Sequence, residues 1–215
     1  MSTKVKGSTL PPRLTRSEQR ALNRARLVTA AREVIVERGY EAMQLDQVAA
    51  RVGVTKGSVY SIFGSKLELL LAVIADSEAA VEFVHANLRA VLGTVEDQLA
   101  SLVDDMVAYS KSEIVALELP FQLEIMAMST RTPRLAELAH NYSQRATTHM
   151  SEAFTGRPTR AGAILTAAQA ARLAVFAIAL TRGTVQGAAS FGTPIDRTVT
   201  LAALEAAATA ITLAN

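Results

Sequence analysis

Cysteine is absent from all 215 residues, which rules out a disulfide framework and a thiolate-held zinc site. Histidine is scarce: His85, His140 and His149 are the whole set. Glu137 with His140, and His149 with Glu152, make i, i+3 pairs of the kind that carboxylate-bridged metal sites use inside helical bundles. Nine steps of about 100° turn His140 and His149 to opposite sides of one helix, so they close no site within a protomer. No metal and no cofactor is therefore expected. A Gly-rich phosphate loop and a nucleophile elbow are also missing, and Gly64-Ser65-Lys66 lacks the rest of a P-loop. The close acidic pairs, Glu96 with Asp97 and Asp104 with Asp105, read as solvated helix faces, so the sequence is not expected to be an enzyme. Long hydrophobic runs are lacking too. The most apolar stretch, LAVFAIALT, is bounded by Arg172 and Arg182, and the basic N-terminus has no apolar segment of secretion-signal type. A soluble cytoplasmic protein, with no membrane partner, is expected.

Half of the residues are hydrophobic and 20% are charged, which is enough for a small domain and a larger one, each with its own core. The charge is uneven. Residues 1–70 hold 12 Lys and Arg against 6 Asp and Glu, whereas 71–215 hold 10 against 14. Binding a polyanion requires local positive charge, and here it lies in the N-terminal third.

That third also contains the most informative stretch, residues 45–63, LDQVAARVGVTKGSVYSIF. Val48, Ala49 and Val52 recur at helical spacing, and Gly53 follows, supplying a residue free to take positive φ where a short helix ends. Thr55 can cap a second helix, to which Val59 and Phe63 give one buried edge. The pair predicts a helix-turn-helix, with Ala49 small because the second helix crosses close over it. Gly57 and Ser61 fall nearly opposite the buried edge, with Ser58 and Tyr60 on the flanks. This short polar face suits the floor of a DNA major groove, with Lys56 and Lys66 supplying positive charge at its ends. An ordinary helical hairpin with a glycine cap is the alternative.

Around it, residues 1–17 read as a flexible basic arm with Lys4, Lys6, Arg13 and Arg16. Residues 18–38 read as a helix with Leu27, Ala31, Val34 and Ile35 inward, ended by Gly39, so that 18–65 forms a three-helix head. Ser65 is expected to cap a long helix running to Gly93, which belongs to both domains. No alternating strand pattern appears later. The body, 66–215, is read as helices over 95–112, 113–129 interrupted at Pro120, 134–154, 161–190 and 195–213. The fold class is all-α, about nine helices in a small head and a larger body.

Two features of the body suggest function. Met106, Tyr109, Phe121, Ile125, Met128, Tyr142, Phe154 and Phe176 lie on different helices and are candidates for the lining of a pocket for a small, largely apolar effector. Ala179, Gly183 and Gly187 form a small-residue ridge at four-residue spacing, and Leu201, Leu204, Ala208 and Ile211 make an apolar stripe on the last helix. These two surfaces are either core or the seam of a homodimer. Because one recognition helix binds DNA weakly, the helix-turn-helix favours the dimer.

The run ERGYEAM followed by LDQVAARVGVTKGSVYSIFGSKLELL resembles the TetR family of transcriptional regulators, strongly over residues 25–72 and elsewhere in layout alone. The resemblance implies a homodimeric regulator of double-stranded DNA with a palindromic operator. Most often such a protein is a repressor, released when its helical body binds a small molecule. Carried over by position, Thr55, Lys56, Gly57, Ser58, Tyr60 and Lys66 become the expected DNA contacts, Tyr60 to a phosphate or base edge and Lys66 to a phosphate. Two positions depart from the family pattern. Gln44 stands where Thr or Ser usually caps the first helix of the hairpin and touches the backbone, although its amide can still donate. Ile62 stands where many members have His. These departures imply one fewer bond to phosphate, and more of the affinity is expected to fall on the arm and on Arg51. An all-helical ligand-binding protein or enzyme with a vestigial helix-turn-helix, or a transcriptional activator, are the competing expectations.

Overall fold

The structure is a computed structural model that describes residues 14–214, leaving aside the side chains of residues 77–87 and of residue 117. The arm's Lys4, Lys6 and Arg13 and the side chain of His85 thus lie outside the described residues. Among those described there are nine helices: α1 (Arg16–Arg38), α2 (Leu45–Val52), α3 (Lys56–Phe63), α4 (Lys66–Ala90), α5 (Val95–Ser110), α6 (Glu113–Ser129), α7 (Pro133–Phe154), α8 (Ala167–Phe191) and α9 (Arg197–Leu213). None of them is both long and apolar enough to cross a membrane by itself.

Local chemistry sets most of the boundaries. Thr15 and Glu18 form a capping box, so α1 starts at Arg16, inside the stretch expected to be arm. Ser65 accepts from the Glu68 N–H (3.1 Å) and starts α4, which stops at Ala90 because Val91 turns extended. Pro120 does not interrupt α6, which runs through it as one helix. The largest departure lies between α7 and α8. Residues 161–166, expected to be helical, belong instead to a tight hairpin with a Pro158–Ile164 bridge. The Ala163 N–H bonds to the buried Thr159 hydroxyl at 3.1 Å, and Gly162 takes φ +85°. A capping box of Thr166 with Gln169 then begins α8. At the other end, Asp196 caps α9 through the Val199 N–H (3.0 Å).

Two cores result. In the head, Leu27, Ala31 and Ile35 of α1 meet Val48 of α2 and Val59 of α3, and Leu69, Leu70 and Val73 of α4 complete the cluster. This core also takes in Phe121 of α6 and Leu135 of α7. The body core joins Leu99 and Val103 of α5, Phe154 of α7, Leu173 and Ala177 of α8 and Leu204 of α9. Gln98, fully buried, donates to the carbonyls of Leu88 (3.2 Å) and Ala153 (3.0 Å), tying α5 to α4 and α7.

Head and body are pinned together along α6. Arg32 of α1 bonds to Glu118 (2.7 Å) and to Asp76 of α4 (2.9 Å), and its guanidinium lies 5.9 Å from the centre of the Phe121 ring. One turn further on, Glu124 accepts from the Tyr40 N–H at 2.9 Å. In this way α6 holds both α1 and the turn that leads into α2.

Candidate nucleic-acid interface

The hairpin geometry follows from one residue. Gly53 sits in the left-handed region at φ 75°, ψ 31°, and the Val54 N–H reaches back to the Ala49 carbonyl (3.0 Å), closing α2. Val54 leads to Thr55, whose hydroxyl accepts from the Ser58 N–H (3.2 Å) and opens α3. Ala49 is buried at the crossing. Val59 and Phe63 turn inward, while Gly57 and Ser61 are exposed, Ser58 is half-buried, and Tyr60 keeps 48% of its surface exposed. A side chain that large remains in water beside a glycine-relieved polar face, so α3 presents a surface that another molecule can enter. Gln44 precedes α2 in extended conformation and makes no capping bond with its side chain.

The charges are arranged less simply than their number suggests. Lys56 pairs with Asp46 of α2 at 3.0 Å, and that hydrogen bond raises the lysine's pKa. Arg51 pairs with Glu33 (3.2 Å) and Glu37 of α1, and its hydrogen bond holds the Glu37 carboxyl below the ordinary carboxylate range. Lys66 donates to the Glu41 carbonyl (3.0 Å), and its ammonium lies 4.5 Å from the centre of the Tyr40 ring. Arg51 is thus turned toward α1, and Lys66 is fixed against the turn between α1 and α2. Beside α3, an open groove of about 510 Å³ has Arg16, Arg20 and Asn23 of α1 on one wall. Thr55, Ser58 and Ser61 stand on the other. Arg16 was expected to act as part of the basic arm, whereas Arg20 and Asn23 were not foreseen, although Arg16, Arg20 and Arg24 at four-residue spacing carried the signal.

The effector candidates separate. Phe121, Ile125 and Met128 do come together, but in or against the core of the head. Met106 and Phe154 are buried in the body core, Tyr109 and Tyr142 are half-buried on α5 and α7, and Phe176 is 41% exposed on α8. Aromatic and Met residues at helical spacing thus fill two cores and one surface. The interface candidates separate as well. Leu204 and Ala208 are buried inside the protomer, with Leu201 and Ile211 packed against the same cluster, so this stripe of α9 is core. Ala179 and Gly183 of α8 face outward, and a Cβ placed on Gly183 or Gly187 would meet nothing within 4 Å. The opposite face of α9 carries Val199 and Leu213, 64% and 79% exposed. Among the histidine pairs, Glu137 and His140 are exposed, and Glu152 bonds to Arg89 (3.2 Å).

A trihelical head with a glycine-turned hairpin and an outward polar second helix defines the DNA-binding part of a helix-turn-helix protein. The model for bacterial regulatory proteins of the tetR family matches residues 27–73, which begin in α1 and end where the head core ends on α4. Over that segment, about a fifth of its length, the chain is similar to the DNA-binding part of the tetR family. It is 42% identical over 85 residues to the HTH-type transcriptional activator FasR of Mycolicibacterium smegmatis, a stretch covering 40% of this chain but only 36% of that relative. The fold over nearly the whole chain is that of SCO7518 from Streptomyces coelicolor A3(2), with a TM-score of 0.70 at 22% identity, covering 87% of this chain and 98% of the other. A Saccharomonospora viridis protein in complex with choline has a TM-score of 0.66 at 16% identity, covering 86% and 95%.

Proposed function

We propose that this chain is a dimeric, operator-binding transcriptional regulator whose helical body takes a small-molecule effector. The observation that carries the reading is the exposed Gly57, Tyr60 and Ser61 face of α3, held rigidly from behind by Val59 and Phe63. Two copies joined through the outer faces of α8 and α9, along Ala179 and Gly183 and past Val175 and Val199, would present two such helices to a palindromic site. That a relative of the same fold is in complex with choline supports a small-molecule effector, and of the candidate lining residues Met106, Tyr109 and Tyr142 lie on the body helices α5 and α7.

Release of a repressor by its effector is the reading the family layout favours. FasR, an activator by name, favours the second reading. The same head serves both, because the position of the operator relative to the promoter decides whether bound protein blocks or assists polymerase.

A gel shift of the purified chain with genomic fragments at two salt concentrations tests the reading. A discrete palindromic site with a steep salt dependence is expected. Tyr60→Ala should abolish specific retention while the circular dichroism of the fold is unchanged. Equal binding by the variant and the parent would sink the assignment of α3.

A further inference from the structure

We propose that the groove between the first turns of α1 and the outer face of α3 is a binding site for the phosphodiester backbone of DNA, with Arg16 and Arg20 as its anion-binding groups. The proposal rests on the reading that α3 enters DNA, and it adds a contact from a helix outside the hairpin.

The electrostatics point there. Much of the positive charge in the head is already matched by neighbouring carboxylates: Lys56 by Asp46, Arg51 by Glu33 and Glu37, Arg32 by Asp76 and Glu118. A cation already paired has less to gain from a phosphate, because the existing ion pair must be given up or shared. Among the described residues neither Arg16 nor Arg20 is paired with a carboxylate, and both are exposed. The nearest acidic neighbour in sequence, Glu18, is turned back on Thr15, whose N–H and hydroxyl it accepts at 2.7 and 2.8 Å.

The geometry is that of a prepared site. One Nη of Arg20 donates to the Ser61 carbonyl at 2.9 Å, which fixes the guanidinium at the end of α3 and leaves its other N–H groups for a phosphate oxygen. Gln19 donates to Asn23 at 3.0 Å on the same side of α1. Across the groove stand the hydroxyls of Thr55, Ser58 and Ser61, so hydrogen-bonding groups line both walls. Because the reading face of α3 is itself one wall, a strand whose base edges meet α3 runs its backbone past α1.

The test measures the affinity of the full chain for two duplexes between 50 and 200 mM salt, about the range in which counterion release is resolved. One duplex is selected by binding from sheared genomic DNA; the other is a scrambled sequence of equal length. Arg16→Ala should weaken both complexes together and make the slope of log K against log salt shallower by about 1, without lowering the thermal unfolding temperature. Arg16→Ala with Arg20→Ala should make it shallower by about 2. The single variant carries the test if loss of Arg20 loosens α3, since Arg20 and not Arg16 bonds to the Ser61 carbonyl. Unchanged slopes alongside a Tyr60→Ala variant that no longer binds specifically would overturn the groove and leave α3 standing. Weakening of the selected duplex alone would overturn a backbone contact. Binding that ignores Tyr60→Ala as well would overturn both readings.

Discussion

Phe121→Ala asks most directly what α6 does for the head. The ring comes from the body, yet it is 2% exposed and packed into the cluster built by α1, α2, α3 and α4, with the Arg32 guanidinium over its face. Truncating a buried phenylalanine to alanine costs about 3–5 kcal/mol, the transfer term plus the cavity left behind. The cation–π contact with the partly buried Arg32 accounts for about 1 kcal/mol of that. In a chain of this size each kcal/mol moves the unfolding temperature by about 2–4 °C, so a drop of about 10 °C is expected. Urea unfolding followed by far-ultraviolet circular dichroism measures the free energy, with protomer concentration held constant because a dimer's stability depends on it. Phe121→Leu should recover more than half of the loss. Had Phe121 lined an effector cavity, the alanine variant would change effector preference and leave the ligand-free protein nearly as stable as before. A loss below about 1 kcal/mol would refute the packing described for α6.

Gly53→Ala should cost about 1 kcal/mol in the same urea assay. A Cβ there meets no atom within 4 Å, so the left-handed backbone is the sole source of strain; Gly53→Asn should lose less. Ala179→Glu places a charge on the outward ridge of α8, where it touches no core residue. It should convert a dimer to monomers in sedimentation velocity with the helical content retained, and an unchanged dimer would move the interface elsewhere. Acid should weaken the fold in a definite window. Hydrogen bonds from Arg197 to Asp104, and from capping backbone N–H groups to Asp97 and Glu18, hold these carboxyls below the ordinary range. Their stabilisation is fully present above the unfolded values, so the unfolding temperature should be flat above about pH 5 and fall as pH drops through the depressed folded values. Asp104→Asn should lower stability at neutral pH and flatten that acid limb.

What the sequence made legible is local. Gly53, Thr55 and Ser65 act on backbone within four residues of themselves, and the spacing of Val59 and Phe63 sets the inward edge of α3, so the hairpin could be read without a neighbour. The stretch after Phe154 misleads because Ala161, Ala163 and Leu165 suit a helix. The turn at Gly162 and the box formed by Thr166 and Gln169 override them. Charge was legible as a total but not as a map: whether Lys56 or Arg16 is the freer cation depends on where Asp46 and Glu18 come to rest. Phe121, Leu204 and Ala208, offered as pocket or interface residues, lie in the protomer's own cores for a related reason. Helical spacing says that Phe121, Leu204 and Ala208 are buried, and it does not say against what. Phe121 crosses to the head, and Leu204 turns toward α5 and α8.

A cut between Ser65 and Lys66, the boundary read from the sequence between head and body, would not release a working DNA reader. It would strip Leu69, Leu70 and Val73 from the fragment and leave Val48, Val59 and the inner side of α1 bare to water. Even a piece carried on to Val73 would lack the cover that Phe121 and Leu135 supply. Excised heads of either length should clump or melt early. An engineer wishing to graft this hairpin onto another body would have to carry over the gripping part of α6, or rebuild it.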